Sequence, residues 1–164
     1  MWALFRRERR TAQATVTVRT GSPADAPAVR TLANAELGRS PTETRLRELL
    51  DRYPSVLAFD NATLCGFVFG EALSPDIIEM ANLLVGAGYR NQGLGTELIR
   101  RFEAEARNDY RSVIAANSEL WPVVGGEKRS VVALYRRLGY RELYSTPDTK
   151  VLVKELAGSS GASG

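Results

Sequence analysis

The sequence lacks histidine altogether and contains a single cysteine. Without histidine, the chain has no Ser-His or Cys-His nucleophile pair, no His-ligated zinc site and no histidine general base. We therefore expect no bound metal. Cys65 cannot form an internal disulfide, which fits a reducing compartment, so we expect a cytoplasmic protein. Because Cys65 lies in an apolar run, a buried structural thiol is favoured over a reactive one.

Long apolar runs and an excess of charge over the folded body are also missing. No run approaches the ~20 residues that a transmembrane helix needs. The net charge is +3, but the first ten residues hold four Arg and one Glu, which leaves eighteen basic and eighteen acidic residues elsewhere. The body of the chain is therefore neutral, and we expect neither nucleic acid nor a membrane as its partner.

The length and composition fit one globular domain, since 44% of the 164 residues are hydrophobic. We expect a basic, poorly ordered lead-in at residues 1–13, a single domain at residues 14–157 and a disordered, Gly- and Ser-rich tail at residues 158–164. Whether the lead-in is an organelle address, a docking arm or unstructured stays open, and so does a homodimeric assembly.

Hydrophobic periodicity predicts eleven elements in the order β-α-α-β-β-β-α-β-α-β-β. Ser22 and Gly38 mark the ends of the first helix, and Ser40-Pro41 is predicted to open the second. Gly66 and Gly70 predict a bulge or a close backbone approach in the third strand. The fold class is therefore α/β (α+β), with a mixed, mostly antiparallel sheet of six or seven strands flanked by about four helices.

One glycine-rich stretch offers a prediction of chemistry from spacing. The apolar residues 80–85 lead into Gly-Ala-Gly-Tyr-Arg-Asn-Gln-Gly-Leu-Gly at 86–95, and a helical pattern follows at once. Glycines let successive backbone N–H groups converge on one point, and the helix adds unpaired N–H groups and the positive end of its dipole. Arg90 adds a cation at the rim of this loop. The stretch is suited to an anion such as a pyrophosphate.

Two familiar phosphate motifs do not match this stretch. A P-loop ends in Gly-Lys-Ser/Thr, whereas this loop ends in Gly-Leu-Gly-Thr. A dinucleotide fingerprint requires a third glycine three residues after Gly88, and this chain has none there. On spacing alone, a tight turn without ligand and an anion site both remain open.

Three segments, in the same order along the chain, resemble the GNAT (Gcn5-related N-acetyltransferase) superfamily. Residues 85–95 resemble its R/Q-x-x-G-x-G/A signature, residues 18–26 its opening strand and helix start, and residues 132–140 its late LYxxLGF motif. Together they cover about residues 15 to 156. The resemblance implies a GNAT-like fold and an acyltransferase that uses acetyl-CoA as its co-substrate.

The resemblance also implies where acetyl-CoA binds. The strand before the loop splays from the next strand, and pantetheine pairs with backbone in the gap, while the loop amides hold the pyrophosphate. Many members carry Asn seven residues before the late tyrosine, where this chain has Lys128. Two roles stay open for Lys128: a contact to a coenzyme phosphate, or a place in a solvated helix start. The implied binding residues are Leu83, Leu84, Val85, Arg90, Asn91, Gln92, Gly93, Leu94, Gly95, Thr96, Asn117 and Lys128.

Acetyl transfer to an amine needs a proton acceptor and a proton donor for the leaving thiolate. Without histidine, the acceptor is a carboxylate, a tyrosine or a water chain. Glu79 lies in an apolar strand, where lost hydration favours proton uptake, and it matches the general-base glutamate of histone-acetylating members. Tyr135 matches the family tyrosine that protonates the thiolate. A solvent-facing Glu79 and a core Tyr135 are the alternatives.

The acceptor is expected to be a primary amine of a small molecule or peptide. Its pocket should be built by residues 36–53, 71–76 and 121–126, where Glu36, Glu43, Glu71 and Glu119 are candidates to attract an amine. A GNAT-like module that binds acyl-CoA without turnover remains the alternative to an enzyme.

Overall fold

The computed structural model describes residues 15–118 and 131–157. Seven strands alternate with four α-helices and two short 3-10 turns, Pro23–Asp25 and Ala87–Tyr89. The strands are β1 (Val16–Thr20), β2 (Ser55–Asp60), β3 (Thr63–Ala72), β4 (Ile77–Val85), β5 (Ser112–Ser118), β6 (Arg141–Ser145) and β7 (Thr149–Glu155). The helices are α1 (Ala26–Leu37), α2 (Glu43–Arg52), α3 (Leu94–Ala106) and α4 (Val132–Arg137). The predictions for residues 1–13 and 158–164 lie outside the described residues.

All seven strands form one open sheet in the order β1-β2-β3-β4-β5-β7-β6. The β4–β5 pair is parallel and every other neighbouring pair is antiparallel. The predicted order of elements and the mixed, mostly antiparallel α/β sheet are confirmed, and the sheet has seven strands.

The sheet buries apolar side chains on both faces. On one face, α3 and α4 pack Leu98, Phe102 and Tyr135 against Val68 and other strand residues. On the other face, α1 and α2 pack their apolar residues against the Phe67 and Phe69 side of the sheet. Cys65 is buried, as predicted. In residues 15–118 and 131–157, no helix is both long enough and apolar enough to cross a bilayer.

The start of α2 differs from the sequence prediction. We expected Ser40-Pro41 to open this helix, but its N-cap is Thr42, whose hydroxyl accepts a hydrogen bond from the Arg45 amide at 3.2 Å. A Thr side chain that reaches the third helical N–H satisfies one of the orphan donors of the first turn, so it outcompetes the earlier Ser-Pro pair. Residues 38–42 are therefore a connection between α1 and α2, and part of this connection lines a cleft over the sheet.

The two strand glycines mark irregular pairing, as predicted. The β3–β4 register shifts between Phe69 and Gly70, which leaves Ala81 as an extra residue in β4. A Cβ at Gly70 would lie 2.6 Å from Ile78 and 2.8 Å from Phe102, so only glycine fits where α3 crosses this strand.

Candidate active site

Strands β4 and β5 separate in the middle of the sheet. Their parallel pairing runs from Ile77–Ser112 to Glu79–Ile114 and then stops, although β4 continues to Val85 and β5 to Ser118. The extra residue Ala81 lies just beyond the point of separation. A bulge increases strand twist and bends the strand, which explains why β4 leaves its neighbour here. The result is a gap bordered by the second half of β4.

The edge of β4 that faces this gap has backbone groups without a partner strand. Residues Leu83, Leu84 and Val85 pair with β3 on their other side. Unpaired backbone N–H and C=O groups at a sheet edge are hydrogen-bonding positions for an extended ligand, which adds to the sheet as another strand would. The gap is therefore suited to a chain that carries amide groups.

The glycine-rich loop turns the chain from the end of β4 into α3. Asn91 and Gly93 have positive φ angles of 60° and 82°. Gly93 is the N-cap of α3, and among the described residues no side chain caps this helix end. The N–H groups of Leu94, Gly95 and Thr96 are therefore first-turn donors without a helical acceptor. Together with the helix dipole they favour an anion at the mouth of the gap.

Arg90 fixes the shape of this loop by bonding to the end of β4 and to α1. Its Nε donates to the Val85 carbonyl at 3.0 Å, and its Nη2 donates to Glu36 Oε2 at 2.8 Å. The other oxygen of Glu36 accepts from the Ala87 amide at 3.1 Å. Both side chains are largely buried, with 21% and 18% exposed. The guanidinium that we expected at the rim of the loop thus joins the loop to the end of α1.

Tyr89 anchors the loop on its other side. Its hydroxyl donates to Asp60 Oδ2 at 2.7 Å, next to the β2–β3 turn. This hydrogen bond to a carboxylate raises the pKa of Tyr89. Because α1 and the β2–β3 turn both hold the loop, its amides are preorganised before any ligand binds.

Tyr135 lies in α4 and points to the place where β4 leaves β5. It is 5% exposed, and its hydroxyl lies 3.7 Å from Met80 Sδ. Burial raises the pKa of Tyr135 to about 12, so the phenol keeps its proton at neutral pH. The ring also packs against Tyr140, with 5.3 Å between centroids. A protonated phenol held at the gap is equipped to donate a proton there.

Glu79 is the last β4 residue that pairs with β5. Its neighbour Met80 contacts Tyr135 from the α4 face, so alternation along the strand directs the half-buried Glu79 to the face covered by α1 and α2. Directly across from Glu79 is Glu71, which forms an ion pair with Arg45. Within the described residues, the Glu79 carboxylate has no ion pair or hydrogen bond. The two candidate catalytic residues thus reach the same point of β4 from opposite faces.

A cleft of about 250 Å³ opens on the Glu79 face of the sheet. It lies between α1, the connection at residues 38–42 and the middle of β3. Its wall includes residues from the predicted acceptor region 36–53, together with sheet residues that we did not predict. The lining comprises Val29, Ala33, Leu37, Arg39, Ser40, Pro41, Phe67, Phe69 and Asn82.

The remaining predicted site residues lie away from the loop or outside the described part of the chain. Asn117 lies in β5 opposite Lys150 of β7, beyond the point where β4 has left β5. Lys128 and the predicted pocket segment 121–126 lie outside the described residues, and so does Glu119. Among the described residues, no group of three or more His, Cys, Asp or Glu side chains is placed to hold a metal ion.

Sequence reasoning missed Met80, Asn82 and the role of Glu36 in the loop. Glu36 and Arg90 are 54 residues apart in the chain, and nothing in the local pattern of either residue indicates the pair. Asn82 could have been noticed as an amide in an otherwise apolar strand.

The comparisons with known proteins agree on one family. Residues 52–142 match the acetyltransferase (GNAT) domain family. A Blasticidin-S acetyltransferase from Streptomyces morookaense is 39% identical over 80 residues, which cover 45% of this chain and 54% of that protein. The match therefore spans about half the length of this curated relative.

Solved structures share the fold across most of the chain. The ribosomal-protein-S18-alanine N-acetyltransferase from Escherichia coli has a TM-score of 0.69 at 19% identity, covering 90% of this chain and 99% of that one. A putative acetyltransferase from Salmonella typhimurium, solved with its cofactor acetyl-CoA, has a TM-score of 0.68 at 18% identity, covering 89% and 96%. At these identities the likeness shows the fold alone.

Proposed function

The chain belongs to the GNAT acetyltransferase family, a family of acyltransferases, and we propose that it moves an acetyl group from acetyl-CoA to a primary amine by direct transfer. The gap between β4 and β5 beside the glycine-rich loop is the main support for this proposal. The sequence resemblance to the superfamily is confirmed, whereas the reaction and its residues are our inference.

The residues around the gap fit acetyl-CoA in three respects. The amides of Leu94, Gly95 and Thr96 would meet the pyrophosphate, since they are unpaired donors at the positive end of α3. The free edge of β4 at residues 83–85 would pair with the amides of the pantetheine arm. Gly93 supplies the positive φ that turns these donors toward the gap. Arg90 would act mainly by holding the loop in this shape.

Acetyl-CoA supplies an acetyl group activated as a thioester. Glu79 would take a proton from the acceptor ammonium, directly or through water, and leave a nitrogen lone pair free to attack. As the nitrogen–carbon bond forms and the carbon–sulfur bond breaks, Tyr135 would give its proton to the departing sulfur, and the second proton lost by the attacking nitrogen would restore the Tyr135 phenol. Burial raises the pKa of Tyr135 to about 12, so the neutral phenol keeps its proton across the physiological pH range.

The acceptor is a small-molecule or peptide amine in this proposal. The name of the Streptomyces relative makes blasticidin S a first compound to test, and a panel of amines, amino acids and peptides should accompany it. CoA release would be measured with a thiol reagent, and the acetylated product by mass spectrometry.

Two substitutions separate an enzyme from a binding module. General acid–base groups contribute typically about 10²- to 10⁴-fold, so Glu79→Gln and Tyr135→Phe should each lower kcat by about a hundredfold or more. Tyr144→Phe is the matched control, because Tyr144 is 65% exposed on β6 and far along the sheet order from β4. Tight acetyl-CoA binding with no product from any amine would instead support the non-catalytic acyl-CoA-binding module.

A further inference from the structure

The cleft beside α1 has the size and lining of a site for one apolar group. Six of its nine lining residues are apolar, and two of these are Phe67 and Phe69, whose rings stack 5.7 Å apart at 18°. A cavity of about 150 Å³ lined by apolar side chains is enough to hold benzene. A volume of about 250 Å³ therefore has room for one ring and a short linker.

The floor of this cleft is in register with the candidate general base. Phe69 lies opposite Asn82 in the β3–β4 pairing, and Glu71, two residues further along β3, lies opposite Glu79. Side chains two residues apart on a strand share a face and are separated by about 7 Å. Glu79 does not line the cleft, but it lies on the same face of the sheet, beyond Phe69 by about the length of a two-carbon linker plus a ring.

The carboxylate beside the cleft suits an ammonium group. The cleft lining itself carries one cation, Arg39. Of the two glutamates that face each other next to the cleft, Glu71 is paired with Arg45, and Glu79 has no ion pair with another described residue. Asn82 adds a side-chain amide that has no hydrogen-bond partner in the described part of the chain, at the border between the cleft and the free edge of β4. The cleft thus offers an apolar surface and a polar amide, and a carboxylate lies beyond them on the same face of the sheet.

From these features, and on the basis of the proposed function, we propose that the acceptor is a primary amine joined by a short linker to one apolar group about the size of an aromatic ring. The apolar group occupies the cleft over Phe67 and Phe69, and the nitrogen lies at Glu79. Asn82 is a specificity-determining residue that contacts the linker. Polyamines and small hydrophilic amines lack the group that fills the cleft.

A matched pair of amines isolates the cleft. Ethylamine and 2-phenylethylamine differ by the phenyl group alone. A single methylene in a hydrophobic pocket gives specificity ratios on the order of 10- to 200-fold, so kcat/KM should favour 2-phenylethylamine by at least about a hundredfold. Values within threefold of each other would overturn the proposal.

Filling the cleft should abolish this preference for the phenyl group. Ala33→Phe places a ring in the cleft from α1, and Ser40→Phe fills it from the connection without disturbing helix packing. Both should bring the ratio close to one, with acetyl-CoA affinity within about twofold of the wild type. Ala35→Phe, on the exposed side of α1, should keep the ratio. Equal losses for both amines in both cleft-filling variants would contradict the proposal.

A binding readout keeps this test separate from that of the proposed function. Calorimetric titration of 2-phenylethylamine into the CoA-bound protein should show binding that Ala33→Phe and Ser40→Phe weaken at least tenfold. If neither amine is acetylated but this binding is observed, the proposed reaction fails while the cleft assignment stands. If amines are acetylated but 2-phenylethylamine binds no more tightly than ethylamine, the cleft assignment fails alone.

Discussion

Gly93 is the position where the loop depends most on the backbone freedom of glycine. Its φ is +82°, and a Cβ added there would meet no atom within 4 Å. The cost of Gly93→Ala is therefore backbone strain alone, without a steric clash. An L-residue in the left-handed region costs about 1–2 kcal/mol, so the free energy of unfolding should fall by that amount.

The same loop contains a matched control. A Cβ at Gly88 would also meet nothing within 4 Å, but the φ of Gly88 is not in the left-handed region. Gly88→Ala should therefore leave stability unchanged or raise it by about 0.4–1 kcal/mol, because alanine restricts the unfolded chain. Gly93→Asn should recover part of the loss, since asparagine tolerates positive φ better than alanine.

Two assays on these variants test the role of the loop. Urea unfolding followed by circular dichroism gives stability, and calorimetric titration gives acetyl-CoA affinity. Gly93→Ala should lower the affinity about tenfold or more, because the N-cap residue sets the direction of the first amides of α3, whereas Gly88→Ala should preserve it. A Gly93→Ala protein that is as stable as the wild type and binds acetyl-CoA equally well would refute this reasoning.

Three further perturbations probe the surroundings of the site. Glu36→Gln removes the carboxylate charge shared by Arg90 and Ala87, so acetyl-CoA affinity measured by titration should fall about tenfold, whereas Glu43→Gln, in an exposed pair with Arg47, should change it less than twofold. Lys154→Met leaves the buried Glu103 carboxylate without its cation and should lower the free energy of unfolding in urea by about 3 kcal/mol. Lys150→Met should lower it by less than about 1 kcal/mol, because the partner of Lys150, Glu142, is 36% exposed whereas Glu103 is 5% exposed. Burial raises the pKa of Tyr135 from its ordinary value to about 12 in the folded protein. The contribution of this phenol to stability is therefore complete below pH 10 and is lost as the pH rises toward 12. Over that range, the free energy of unfolding of the wild type should fall by about 2–3 kcal/mol more than that of Tyr135→Phe.

Each of these three has a result that would count against it. Equal affinity losses in Glu36→Gln and Glu43→Gln would mean that the buried pair does not shape the loop. Equal stability losses in Lys154→Met and Lys150→Met would mean that burial of Glu103 carries no penalty. Parallel alkaline unfolding of the wild type and Tyr135→Phe would mean that the Tyr135 phenol titrates as it does in water.

The sequence allowed the elements around the site to be predicted because their signals are local. Turns after Asp60 and at Ser74-Pro75 delimit the apolar runs of β3 and β4. The glycine-rich stretch was predicted to lead directly into a helix, and α3 begins at Leu94. The last residues of β5 are held as strand by pairing with β7, and that pairing has no local signature.

The interactions that shape the site depend on contacts between distant segments. The Glu36–Arg90 pair and the contact between Tyr135 and Met80 span more than fifty residues of chain. The cleft results from the late start of α2 at Thr42, which leaves residues 38–42 free to cover the sheet. Local propensity describes none of these, because each depends on tertiary packing.

The most direct test of the account is residue-resolved amide hydrogen exchange, measured with and without acetyl-CoA. If acetyl-CoA occupies the gap between β4 and β5, the amides of Leu94, Gly95 and Thr96 and those at the free edge of residues 83–85 should become strongly protected. The amides of β1 and β6, at the two ends of the sheet, should exchange as before. Protection confined to other parts of the chain, or no protection at the loop despite saturating acetyl-CoA, would contradict the account.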